Sequence, residues 1–314
     1  MKSSSTSGSL WQLGHQSGSL QALAIGRILW SLFQFRNTFS MLERAQELTK
    51  FPSFFFKPIV LMKIMSFGTP LIDPTHSIGW LLPIILSLSG IGSILGFKTR
   101  KSIFVFAFTQ TLIVSYCYSF GDYHHDQALP ILAGFLLALT PCGDTFSMDQ
   151  FLKNIHQHPT KGHLKTNSFG WFFVFIYSFL SVIYLSSGLA KLSHSSTDWL
   201  SGKALMFYIQ QDALINARPI GIWVSNDLIL CMVLAWCTLS FQLLFGLGLF
   251  NQKLQWVLVT MAIFFHLITD LLMKASFLGF IGVLSFLLPW NRITKQAGIV
   301  KKSSQLEKTR LKKR

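Results

Sequence analysis

The sequence predicts an all-α integral membrane protein with about eight transmembrane helices plus interfacial helices. Three observations carry this. Of 314 residues, 51% are hydrophobic and only 12% charged, against about 25% charged in an average soluble domain. Several apolar runs approach the roughly 20 residues that a helix needs to cross a bilayer. The net charge of +15 is spread as in membrane loops, not as on a nucleic-acid surface: nine of the 27 Lys and Arg lie from Asn291 onward, and others fill short loops between apolar runs.

Residues 1–20 read as a disordered or surface leader rich in Ser and Gly. No apolar core with a small-residue cleavage site follows closely, so a cleaved signal peptide is not expected. The first span covers residues 20–41 and contains Arg27 and Arg36. Residues 42–76 are mixed, and the Phe cluster at 51–56 beside Lys57 and Lys63 suggests a segment lying in the interface. The second span, 78–97, ends at Lys98, Arg100 and Lys101. The third, 103–120, leads into Asp122, Tyr123, His124, His125 and Asp126. The fourth, 128–146, carries Pro130 and Pro141 and leads into a polar loop, 149–168, with Lys153, Lys161 and Lys165. The fifth, 169–189, delivers Lys191. A long amphipathic connection, 193–226, has Trp199, Tyr208 and Trp223, which suit an interfacial helix. The sixth, seventh and eighth spans cover 228–250, 254–273 and 275–290, and a basic tail occupies 291–314.

Four cysteines, Cys117, Cys142, Cys231 and Cys237, all lie in apolar stretches without CxxC spacing. They read as small core hydrophobes, not as disulfides or zinc ligands. His156, His158 and His163 resemble no standard zinc site either, and no metal is expected.

With the N-terminus in the cytoplasm and eight crossings, the basic loops at 98–101 and 149–168, the turn at Lys253 and the tail all fall inside, as the positive-inside bias requires. The extracytoplasmic face then receives Asp122 to Asp126, Lys191 with Asp198 and Trp199, and the segment near His266 and Asp270.

Lys191 is the centre of this convergence. An amine at the edge of the hydrocarbon is costly unless paired, hydrated or used. It is either a snorkelling lysine with its ammonium among headgroups or a general base. His124 and His125, flanked by Asp122 and Asp126, suit substrate orientation or proton transfer, or belong to a polar interfacial loop. His266 lies inside an apolar span, four residues before Asp270 and on the same helix face, so the carboxylate is placed to fix the imidazole tautomer. A plain interhelical hydrogen bond is the other reading. Arg27 is expected to form a structural ion pair with Asp144 or Asp149.

These residues also carry a family resemblance. Tyr184-Leu-Ser-Ser-Gly188-Leu-Ala-Lys191-Leu192, followed by Asp198-Trp199-Leu-Ser-Gly202, resembles the Tyr-x-x-x-Gly-x-x-Lys-Leu and Asp-Trp-x-x-Gly signature of the membrane region of vitamin K-dependent gamma-glutamyl carboxylase. In bacteria this region is the HTTM (horizontally transferred transmembrane) domain. The stretch from Leu23 to Ile28 around Arg27 is similar to the family's opening span. His125 to Pro130, with Ser147 and Asp149, resembles its histidine-led fourth span, and Phe265-His266 with Phe277, Gly279 and Phe280 its late histidine-bearing span. Together these cover roughly residues 20–290, so 21–290 is taken as an HTTM-like transmembrane domain.

The resemblance implies a base at Lys191 that deprotonates a reduced, vitamin K-like quinone, with His125 and His266 steadying its oxygens. It implies carboxylase-like, lyase chemistry. The carboxylases' large extramembrane domain has no counterpart among these residues, and Ala190 stands where the carboxylases often have a second lysine. The expectation is therefore a quinone-using membrane enzyme of the extracytoplasmic face, set in a bacterial cytoplasmic membrane with both termini cytoplasmic. The alternative is a non-catalytic membrane component or a lipid- or quinone-binding protein. Solute transport is weaker, since no inverted repeat or pair of broken helices is visible. The bilayer and a lipid-soluble quinone are the expected partners, nucleic acid is not, and protein partners are left open.

Overall fold

A computed structural model describes residues 19–65, 80–123, 125–156, 169–275 and 277–296. Most of the expected leader and tail, the Pro-rich stretch at 66–79, His124, and the loop holding His158, Lys161, His163 and Lys165 lie outside the described residues. The described residues are helical, with no strand among them.

The first helix, α1 (Leu20–Leu48), begins where Ser19 Oγ accepts the Ala22 amide at 2.9 Å. It is the axis of one half of the bundle. Trp30 is fully buried on it, edge-on to Phe106 at 5.8 Å, with its indole N–H given to the Pro130 carbonyl at 3.0 Å. A 3₁₀ turn (Ser53–Phe55) and short α2 (Val60–Met65) follow. Phe51, Phe54 and Phe55 are exposed there, the disposition of rings in an interface. Next, α3 (Leu82–Leu95) and α4 (Thr99–Ser119) pack on α1 as a hairpin. After a 3₁₀ turn (His125–Gln127), α5 (Ala128–Ala138) returns and α6 (Met148–His156) lies across the end of α4.

The second half is built on α7 (Gly170–Leu200). Two shorter helices, α8 (Lys203–Ile215) and α9 (Pro219–Ser225), cap one end. Then come α10 (Leu228–Leu244) with a 3₁₀ extension (Phe245–Leu249), and α11 (Gln252–Met273). Asp227 and Asn251 cap these two by accepting the amides of the first turn. The short helix α12 (Leu278–Ser285) runs back along α1, and α13 (Trp290–Gln296) closes the described chain. Small residues permit the close approach of α1 and α12: a methyl at Gly26 would strike the Phe286 ring, and one at Gly282 would lie 3.1 Å from the Trp30 backbone.

Among the described residues, four elements are long and apolar enough to cross a membrane: Thr99–Ser119, Gly170–Leu200, Leu228–Leu249 and Gln252–Met273. Eight separate crossings do not emerge. Gln21, Arg27, Gln34, Arg36 and Asn37 make α1 long enough but too polar, while α3 and α5 are short apolar helices. The expected fourth span stops at Ala138, where the chain turns through Pro141 and Gly143, and its 11 residues reach only about 16 Å. The expected eighth span is helical over just eight residues.

The bundle has two chemically different ends. Leu20, Thr99, Thr145, Gln252 and Arg292 share one of them, tied by Thr145 Oγ1 to the Leu20 carbonyl and by Thr294 Oγ1 to Gln21. This basic end carries Lys98, Arg100, Lys101, Lys153, Lys253 and Arg292 against Asp144 and Asp149. At the opposite end Arg44 pairs with Asp122, and the Asn216 amide holds the Met273 carbonyl at 3.2 Å.

Candidate functional site

Tyr184, Ser187 and Lys191 fall at intervals of three and four along α7 and therefore share a face. Tyr184 is buried, with Phe241 at 5.0 Å and Phe245 at 4.6 Å. Its hydroxyl lies 2.8 Å from His266 Nε2. His266 is 3% exposed, and the rings of Phe265, Phe277 and Phe280 stand 5.1, 5.1 and 5.4 Å from its own. Its Nδ1 has no hydrogen-bond partner among the described residues.

The expected pairing of His266 with Asp270 is thus corrected. The two share a helix face, but Asp270 is only partly buried near the helix end, and the interhelical tyrosine takes the imidazole instead. Whichever tautomer is present, Nδ1 is left as an unmatched donor or acceptor. Such a group costs about 1–3 kcal/mol when buried. Tyr184→Phe is expected to strand Nε2 as well and to lower stability by about 1–3 kcal/mol, read as a reduced thermal midpoint in detergent. Adding His266→Phe should restore part of the loss, because both polar partners are then gone.

Lys191 sits 21 residues beyond Gly170, about 32 Å along the helix, or one hydrocarbon thickness from the basic end. Its Nζ donates to Ser187 Oγ at 2.8 Å and lies 5.1 Å from the centre of the Trp199 ring. In a straight helix, eight residues would separate Lys191 from Trp199 by about 12 Å along the axis. The helix is instead broken at Ser195 (φ −151°, ψ 44°), which folds the indole back over the amine. Tyr208 of α8 stacks on Trp199 at 6.2 Å. Gly202, at φ +78°, makes the turn into α8 and lies against the Met232 backbone of α10. The Trp236 indole N–H holds the Leu200 carbonyl at 2.8 Å. Asp198 is exposed and forms no ion pair with Lys191.

The turn bearing His125 packs against α12. Asp126 accepts the Gln127 side-chain amide at 2.6 Å, and Asn37 donates to Gln127 at 2.8 Å. The structure therefore gathers Tyr184, His266 and Lys191 along one face of α7 and brings the His125 turn to the neighbouring helix. It does not place Lys191 and His266 in contact. Nothing in the sequence marked Tyr184 as the imidazole's partner, Ser187 as the amine's, or Gln242 as a buried residue beside Phe241 with an unmatched Oε1.

Arg27 is fully buried, but its partners are the Cys142 carbonyl at 3.0 Å and the Phe146 carbonyl at 2.6 Å, not a carboxylate. The expected ion pair is corrected accordingly. Asp144 faces Lys153 at 3.7 Å. Asp149 caps α4, accepting the amides of Lys98 and Thr99 at 2.8 Å and the Thr99 hydroxyl at 2.7 Å. Burial pushes the Asp149 carboxyl up, but the bonds from Thr99 and Lys98 outweigh it and hold the group below its usual value of 3.8. A carboxyl lowered in the folded state stabilises fully above that usual value and loses its contribution as pH falls through the folded one. Asp149→Ala should cost about 0.5–2 kcal/mol near neutrality. Thermal midpoints of the two proteins should converge as the pH is taken below 3.8.

An apolar cleft of about 220 Å³ opens between α8, α10 and α11. Leu205, Ile209, Leu234, Phe241, Phe265 and Leu272 are among its walls, and neither Lys191 nor His266 is. Phe241 and Phe265 form the layer between the cleft and the Tyr184–His266 pair. Cys237 also lines it and is the one exposed cysteine of four.

Fold and site together define a helical membrane protein with a polar cluster inside its apolar bundle. The HTTM domain family model matches residues 17–291, so the chain belongs to the HTTM domain family and is a multi-pass integral membrane protein. No curated protein matches the chain, and no solved structure does.

Proposed function

We propose that this protein is an enzyme acting on a lipid-soluble reduced quinone, with Lys191 as the base on the extracytoplasmic side. The observation that carries the reading is the setting of Lys191: a half-buried amine with no carboxylate partner among the described residues, bonded to a neutral hydroxyl and covered by an indole. A reduced quinone, when bound, supplies an aromatic hydroxyl whose deprotonation begins its chemistry. Lys191 Nζ accepts that proton, and the ammonium formed is held by Ser187 and by the Trp199 ring face. The unmatched Nδ1 of His266 and Oε1 of Gln242 are buried polar atoms free to meet a ligand oxygen, and the family resemblance assigns a similar task to His125. The apolar cleft suits a hydrocarbon tail. Tyr208 and the cleft residues Leu205 and Ile209 share α8, which links the cleft to the cover over Lys191.

The proposal places the protein in a bacterial cytoplasmic membrane with both termini cytoplasmic. The basic loops at 98–101 and 149–168, the turn at Lys253 and the tail, read from the sequence, support that orientation. A second reading, a quinone or lipid carrier without catalysis, is favoured by the wholly uncharged lining of the cleft.

Alkylation of Cys237 tests the binding half of the proposal. In detergent, N-ethylmaleimide should modify Cys237 well before the buried Cys117, Cys142 and Cys231. An isoprenoid-tailed hydroquinone should slow that reaction. Unchanged kinetics at saturating hydroquinone would contradict a quinone in this cleft. Protection without any turnover would favour the carrier.

A further inference from the structure

We infer that the basic end of the bundle holds a headgroup site for an anionic phospholipid, separate from the Lys191 region. The site is a cleft of about 470 Å³ between the start of α4, the turn after α5, and α6. Lys98, Arg100, Lys101 and Lys153 line it. Two carboxylates share the cleft with these four cations, so the lining keeps a net positive charge. Asp149 is committed to the α4 N-terminus, and Asp144 meets only Lys153, loosely at 3.7 Å. Arg100 gives its Nε to the Thr140 carbonyl at 3.2 Å, which anchors the guanidinium while its other nitrogens carry no bond among the described residues. A concave site lined by four cations, one of them anchored, against two carboxylates favours an anion.

The neighbouring surface identifies the anion as a lipid. On α6, Met148, Phe151 and Ile155 are spaced by three and four residues and are 40%, 63% and 60% exposed. Phe146 and Phe97, on the flanking turns, are exposed as well. The charged residues Asp149 and Lys153 of the same helix line the cleft. An amphipathic helix with an uncovered apolar stripe lies in the membrane interface. It is held there by the Asp149 amide on the Gly96 carbonyl at 3.0 Å. The cations are thereby set at phosphate depth and the stripe at acyl-chain depth. A phosphodiester carrying acyl chains satisfies both, whereas free phosphate satisfies only the first.

The test reconstitutes the full chain in nanodiscs of phosphatidylcholine and phosphatidylglycerol, then counts retained lipid by native mass spectrometry after mild extraction. Wild type should retain phosphatidylglycerol in preference to phosphatidylcholine. R100Q/K101Q/K153Q should lower that retention roughly 100-fold, at about 1 kcal/mol per cation. If the triple variant does not fold, R100Q and K101Q alone should each lower it about fivefold. F151S/I155S should also lower it, with the cations intact. K253Q, which removes a cation from the same end outside the cleft, should not. Equal loss in K253Q would overturn the site in favour of diffuse surface charge. Displacement of the lipid by millimolar inorganic phosphate would overturn the lipid assignment, as would equal retention of phosphatidylcholine.

Discussion

Lys191→Met is expected to lower hydroquinone turnover by roughly 10²- to 10⁴-fold, the range supplied by a positioned general base, with little change in thermal midpoint. The substitution keeps the unbranched stem and removes only the amine. Because Lys191 is half-buried and its one side-chain hydrogen-bond partner is the Ser187 hydroxyl, little of the fold depends on it. Lys191→Arg makes the prediction discriminating. A snorkelling cation tolerates arginine, which keeps the charge and the contact with Trp199. A base does not, because a guanidinium stays protonated. Loss of turnover in both variants supports proton transfer at Nζ. Near-normal turnover with arginine would return Lys191 to a structural role.

Gly202→Ala is expected to be strongly damaging. Gly202 has φ +78°, and a Cβ there would fall within 2.6 Å of the Met232 backbone nitrogen and Cα. A left-handed alanine costs about 1–2 kcal/mol, and forcing a methyl into a packed contact adds about 1–3 kcal/mol. Backbone atoms of α10 cannot swing aside as a side chain can, so α8 must move. That movement carries Tyr208 and Trp199 away from Lys191, since the two rings stack on each other. The measurable results are a lower thermal midpoint and a red-shifted tryptophan emission. An unchanged midpoint would show that the turn at Gly202 does not fix the cover over Lys191.

Features set by local sequence were legible. The apolar runs located the helices at 99–119, 170–200, 228–249 and 252–273 to within a few residues, except that α7 continues past Lys191 to Leu200. The placement of Lys191 near one hydrocarbon thickness from the start of its helix was also legible, because helix length converts directly to depth. What depended on distant partners was not. Tyr184 and His266 are 82 residues apart, and no pattern in either segment pairs them. Asp270 looked the natural partner only because four-residue spacing is visible in sequence. Arg27 is satisfied by the carbonyls of Cys142 and Phe146, and a backbone acceptor leaves no mark in the residue string. The break at Ser195 was only partly legible: Ser-His-Ser-Ser is a weak helix-forming run, but it does not single out Ser195.

On the proposed function, the Lys191 end of the bundle receives an aromatic diol from the membrane. Photo-crosslinking tests it most directly. An isoprenoid-tailed hydroquinone with a photoreactive group in its tail is added to the reconstituted protein, and the labelled residues are mapped by mass spectrometry. The account predicts labels on the cleft walls, among Leu205, Ile209, Leu234 and Phe265, with competition by unlabelled hydroquinone. Labels confined to α3 and α4, or labelling that unlabelled hydroquinone does not compete away, would contradict it.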